Sequence, residues 1–155
     1  EVTRLVLTNK SSEVKDFQVF SYVEWCLWNA DDDSRNFQRN LSTGEVEVDG
    51  STIYHKTEYR ERRNHYAVHA VSTAANGFDT SRESFIGTYG SPAMPKAVKE
   101  GTSYNSIASG WSPVGCIDID LPKSGAITIT LYIGYDHDSG AGHANYSVKR
   151  TIYPF

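Results

Sequence analysis

Residues 17–28, FQVFSYVEWCLW, decide the fold. Phe17, Val19, Val23, Trp25 and Leu27 alternate onto one face, and Phe20, Tyr22, Cys26 and Trp28 onto the other. A period of two is that of a β-strand, and apolar side chains on both faces predict a strand buried on both sides. The chain then enters Asn29-Ala-Asp-Asp-Asp-Ser-Arg-Asn36-Phe-Gln-Arg39-Asn40, where nearly every side chain can hydrogen-bond. A rigid strand feeding a dense polar loop either presents a recognition surface or simply turns the corner of a sandwich, and composition alone favours the plainer reading.

Alternation recurs outward from this stretch. Val2–Thr8 reads as a strand ended by the turn Asn9–Ser12. Asp49-Gly50 is a hairpin signal between Glu45–Val48 and Thr52–His55. His65–Val71 alternates, and Asn76-Gly77 turns the chain into Phe78–Phe85. Ile117–Leu121 and Ile127–Tyr135 each carry one aliphatic and one polar face, as in a two-layer sandwich, and are joined by Pro122–Gly125. Tyr146–Phe155 reads as the last strand. Residues 87–115 hold most of the remaining Gly, Pro and Ser and predict a long irregular connection anchored by Ala97, Val98 and Ile107. No amphipathic helix and no internal repeat is evident. The expected fold class is all-β, an antiparallel two-sheet β-sandwich forming a single domain over residues 1–155.

Composition narrows the function. The chain has 155 residues, a net charge of −4, and ten Tyr, six Phe and three Trp against one Met. The mild charge gives no reason to expect a nucleic-acid partner or an anionic membrane. No apolar run is long enough to cross a bilayer, and the first residues do not read as a signal peptide. Cys26 and Cys116 are expected to be buried structural thiols, in keeping with a cytoplasmic protein.

Chemistry-bearing clusters are few. The run Lys56-Thr-Glu-Tyr-Arg60-Glu-Arg62-Arg63 fits either an anion site or, better, a solvated edge with interleaved acids. His65 and His69 share a strand face, but without a third ligand they read as half-buried hydrogen-bonding residues rather than a metal site. Asp136-His-Asp138-Ser-Gly140 has calcium-loop spacing without the closing glutamate. With no CxxC or HExxH spacing either, no metal is expected. No GxSxG elbow exists, and a thiol inside an apolar strand is a poor nucleophile. The acids Asp31, Asp32 and Asp33 offer paired carboxylates but no apolar pocket. Trp111, between Gly110 and Pro113, suits a sugar-stacking platform or a plug that pins its loop.

The block at 24–67, EWCLWNADDDSRNFQRNLSTGEVEVDGSTIYHKTEYRERRNHYA, resembles the amino-terminal β-sandwich of glycoside hydrolase family 94, the cellobiose phosphorylase family. Gly77-Phe-Asp-Thr-Ser-Arg-Glu-Ser-Phe85 and Asn105-Ser-Ile-Ala-Ser-Gly-Trp-Ser-Pro113 are similar as well, so the resemblance covers about Val2 to Tyr135. It implies a galactose-mutarotase-like supersandwich. It also implies an inverting phosphorolysis of a disaccharide in which inorganic phosphate is co-substrate and no cofactor is needed. The family's catalytic acid and phosphate ligands belong to a helical (α/α)6 barrel, which this sequence is expected to lack. The sandwich itself is then non-catalytic. It packs on the barrel, takes part in homodimer formation and lends a loop to the acceptor-sugar site.

The residues matching that loop are Asn29, Asn36 and Arg39, whose amide and guanidinium groups suit sugar hydroxyls. Weak affinity for glucose or cellobiose is expected without the barrel's half of the pocket. Two alternatives stand beside this one. An autonomous carbohydrate-binding module would stack sugar on Trp28 or Trp111, and a stand-alone enzyme would use Asp31–Asp33. After Tyr135 the sequence departs from the family pattern. Tyr146–Phe155 resembles a family strand that precedes Val2–Thr8, which predicts a circularly permuted or engineered sandwich with those two strands as neighbours.

Overall fold

A computed structural model describes residues 1–26, 31, 35, 44–57, 65–108, 113–120, 125–137 and 147–154. The strands are β1 (Val2–Thr8), β2 (Gln18–Cys26), β3 (Gly44–Asp49), β4 (Thr52–Thr57), β5 (His65–Val71), β6 (Gly77–Ser81), β7 (Pro113–Asp120), β8 (Ala126–His137) and β9 (Ser147–Pro154). Two short helices, α1 (Arg82–Ile86) and α2 (Lys96–Glu100), separate β6 from β7.

Alternation sorts these strands into two antiparallel sheets. One has five strands in the order β1-β8-β5-β4-β3, and the other four in the order β6-β7-β2-β9. The inward residues of both sheets meet in one core. Val19, Val23 and Trp25 of β2 and Ile117 and Ile119 of β7 pack there against Ile53, Ala67, Val71, Ile129, Leu131 and Ile133. Leu5, Leu7, Val46 and Val48, on the edge strands of the larger sheet, close its margins. The Asp49-Gly50 turn joins β3 to β4 in continuous register, with Gly50 at φ 55°, a conformation that favours glycine.

The second face of β2 builds a separate core. Phe20, Tyr22 and Cys116 pack under Phe85 and Ile86 of α1 and Ala97 and Val98 of α2. Ser81 caps α1, its Oγ accepting from the Ser84 N–H at 3.4 Å, and Gly101 ends α2 in the left-handed region at φ 65°. The smaller sheet is thus covered on both sides, by the other sheet and by a helical cap. That arrangement is why β2 is apolar on both faces.

Several expectations need correction. The 82–101 stretch contains two helices where no helix was expected, because five residues cannot display a helical period. Ala97 and Val98 anchor this region as expected, whereas Ile107 is 56% exposed and anchors nothing. His69 is fully buried rather than half-buried, its Nε2 at 2.9 Å from Ser21 Oγ across the two sheets. Finally, β9 pairs with β2 and β1 pairs with β8, in different sheets. The expected adjacency of the terminal strand and β1 does not exist, and the permutation inferred from it falls.

Candidate functional site

Strand register gathers the ends of seven strands at one end of the sandwich. In the larger sheet, Gly44 at the start of β3 faces Thr57 at the end of β4, and His65 at the start of β5 faces His137 at the end of β8. In the smaller sheet, Cys26 at the end of β2 faces Ser147 at the start of β9, and Glu24 faces Val114 near the start of β7. The stacking of Trp25 on His55 shows that these are the same end. The chain therefore leaves for 27–43, 58–64 and 138–146 from this end, and returns to it from 109–112.

Two described groups of side chains build the floor of that end, and a third, at mid-sheet, holds the segment that returns to it. Trp25 and His55 stack with ring centroids 5.1 Å apart at 22°, both buried. His55 Nδ1 lies 3.3 Å from the Glu45 carbonyl, whereas His55 Nε2 and Trp25 Nε1 have no hydrogen-bond partner among the described residues. Burial disfavours the imidazolium and lowers the His55 pKa from 6.5 to about 4, against the smaller opposite effect of the Glu45 carbonyl. His55 is thus neutral at physiological pH.

On the cap side of β2, Glu24 Oε1 accepts from Tyr22 Oη at 2.6 Å and from Arg82 Nε at 3.0 Å. This ion pair is half-buried and ties the start of α1 to β2. A lone acid within an apolar strand was the only sequence signal for it, and the partner lies far along the chain.

Asp79 of β6 forms the third group. Its buried carboxylate accepts from the Tyr104 and Ser106 backbone N–H groups and from Ser106 Oγ at 2.7 Å. Thr80 extends the seam, its Oγ1 donating to the Ser106 carbonyl and accepting from the Ala108 N–H. The segment leading to Trp111 is thereby held along the edge of β6. Burial raises the Asp79 pKa, and these hydrogen bonds oppose the rise. Burial also pushes the Cys116 thiol well up, with the charges of Asp79 and Asp118 adding to the effect, so it is a structural thiol. Asp79→Asn keeps one acceptor oxygen but turns an N–H donor toward the Tyr104 N–H. We expect it to lower stability by about 1–2 kcal/mol, read by urea unfolding. An unchanged midpoint would remove this seam from the account of how the segment is held.

The expected site residues Asn29, Asn36, Arg39, Trp28 and Trp111 lie outside the described residues, as do Asp32 and Asp33; Asp31 is exposed. What the strands establish is that the two segments carrying those five residues leave and enter neighbouring strand ends of one sheet. Among the described residues, no group of three or more His, Cys, Asp or Glu could hold a metal ion. Among them too, no helix is long and apolar enough to cross a membrane.

Comparison with known proteins agrees with this architecture. A family model described as the glycosyl hydrolase 94 supersandwich domain matches residues 1–149. The N,N'-diacetylchitobiose phosphorylase of Vibrio proteolyticus is 27% identical over 124 residues, covering 76% of this chain and 15% of that protein. The solabiose phosphorylase of Paenibacillus borealis is 25% identical over 154 residues, covering 99% of this chain and 20% of that protein. The chain thus spans a fifth or less of the length of these relatives. The family match also continues beyond Tyr135 into β9, further than the sequence motifs alone indicated. With two antiparallel sheets and a family match over nearly its whole length, this chain belongs to the supersandwich domains of glycoside hydrolase family 94.

Proposed function

We propose that the chain is the non-catalytic sandwich of a disaccharide phosphorylase. In this reading it serves as scaffold and dimerisation surface, and it lends the acceptor-sugar site the loop bearing Asn29, Asn36 and Arg39. The observation that supports this most directly is the convergence of seven strand ends on one end of the sandwich, over the buried Trp25–His55 stack and the Glu24–Arg82 ion pair. Such a rigid rim suits a loop that must hold sugar-binding groups in fixed places. The two relatives, both disaccharide phosphorylases by name, support the substrate class. Phosphate and the catalytic acid would belong to the remainder of such an enzyme.

The test is a titration of the protein with glucose and cellobiose, with and without phosphate, followed by NMR shift mapping and run beside a phosphorolysis assay. Saturable shifts at Asn29, Asn36 and Arg39, with affinity of about millimolar order, are expected, and no sugar phosphate. Silence at the loop would leave only the scaffold role. Release of sugar phosphate would overturn the reading.

A further inference from the structure

The outer face of the five-stranded sheet points away from both cores. It carries Tyr54 of β4, Tyr66 of β5 and Tyr132 of β8, which are 43%, 40% and 42% exposed. Tyr54 faces Val68, and Val68 faces Gly134. Tyr66 and Tyr132 stand two positions from Val68 and Gly134 along their own strands, so the three tyrosines surround the Val68–Gly134 pair. From ordinary strand spacings, Tyr54 and Tyr66 are on the order of 8 Å apart, and Tyr132 on the order of 12–14 Å from both.

Gly134 makes this face more than a scatter of aromatics. It lies in the interior of the longest strand, where glycine weakens pairing and commonly marks a bulge, a bend or a close approach. No bulge is present, because the β5–β8 register runs unbroken from His65↔His137 to Val71↔Leu131. Its backbone is not among the positive-φ glycines. Among the described residues, a Cβ added there would meet only Val68 Cβ, at an ordinary 3.7 Å. Neither its backbone nor packing among the described residues requires the glycine, and what remains is the open saddle it leaves between three rings.

The rim of the saddle is polar. Exposed Glu45, Glu47 and Asp49 line β3, with Glu47 directly opposite Tyr54, and Lys56 stands opposite both Glu45 and Tyr66. Carboxylates accept hydrogen bonds from hydroxyl groups, and tyrosine offers both an apolar ring and a hydroxyl. We propose that this face binds a neutral β-linked oligosaccharide. Its flat pyranose faces stack on Tyr54, Tyr66 and Tyr132, one unit crosses Gly134, and hydroxyls donate to Glu47. A chain with equatorial linkages is extended enough to span the three tyrosines, and the acidic row disfavours an anionic ligand.

A second copy of the chain fits this face less well. The three rings together expose on the order of 250 Å², a small apolar centre for the roughly 800 Å² of total surface per partner that a stable protein interface buries. Val2, exposed opposite Tyr132, extends the apolar area only toward the β1 edge. Copies facing each other about a two-fold axis perpendicular to the strands would also bring two acidic β3 rows into one contact.

Cellotetraose and chitotetraose titrated into the protein test the assignment, read by amide shifts and by sedimentation. Saturable shifts at Val68, Gly134 and Tyr132 are expected. Tyr54→Ala and Tyr132→Ala should each weaken binding about tenfold. Gly134→Thr fills the saddle and should abolish binding while leaving the melting temperature unchanged or higher. Arg39→Ala, in the separate loop, should leave this site unaffected, so its failure and that of the acceptor-loop reading are distinguishable. Absence of shifts with both sugars, or binding that survives Gly134→Thr, overturns the proposal. So does self-association that Gly134→Thr abolishes and sugar does not compete with.

Discussion

Phe85→Ala is expected to cost about 3–5 kcal/mol of stability, the usual price of deleting a fully buried phenyl ring. Phe85 is 0% exposed, stacks on Tyr22 at 4.7 Å and 16°, and lies 6.3 Å from Phe20. Of its neighbours in the cap core, Ala97, Val98 and Cys116 are small, and Phe20 and Tyr22 are fixed in the β2 ladders, so the void has little to collapse into it. The two helices are each five residues long, too short to persist without this packing. Urea unfolding should therefore show the loss of stability. Hydrogen exchange should show the amides of 82–101 losing protection ahead of the larger sheet. A loss below about 1 kcal/mol, with cap protection intact, would mean that the cap is held by its polar contacts alone.

Acid is expected to destabilise the protein through His55. In the unfolded chain its imidazole titrates near 6.5, and in the folded chain at about 4. Between those values the unfolded state binds more protons, so this contribution is complete above pH 6.5 and is lost as the pH falls to 4. The interval corresponds to about 3 kcal/mol. Asp79 acts in the opposite sense. Its raised pKa means that the folded state takes up a proton before the unfolded state does, which offsets part of the loss in acid. His55→Phe keeps a flat ring against Trp25 and removes the titration. Chemical denaturation between pH 7 and 4 should show a shallower pH slope for this variant than for the parent, and equal slopes would exclude His55 as the source.

Much of this fold is written in simple alternation. The two faces of β2 became the two cores, Val19, Val23 and Trp25 on one side and Phe20 and Tyr22 on the other. The Asp49-Gly50 turn and the inward set of β8 followed the same rule. Features that depend on partners distant in sequence left no such mark. Asp79 meets Ser106, Glu24 meets Arg82 and Trp25 meets His55 only once the sheets have formed. The exposure of Ile107 had the same origin, because Thr80 and Asp79 hold its segment through backbone groups and Ser106. The proposed acceptor-loop role of Asn29, Asn36 and Arg39 rests on family resemblance rather than on chemistry, since asparagine and arginine suit many surfaces. The tyrosine saddle needed the β4-β5-β8 register, which no local pattern specifies.

The pairing of β2 has a consequence for biosynthesis. Every ladder partner of this strand lies between Val114 and Pro154, so it finds neither neighbour until about 90 further residues have left the ribosome, and not both until residue 154 has. Until then QVFSYVEWC is an apolar, strand-prone segment with two unsatisfied edges. Topologies closed by such distant contacts fold slowly, and the waiting segment is the natural seed for aggregation and for chaperone capture. The strand that organises the finished molecule is therefore also its chief hazard during synthesis.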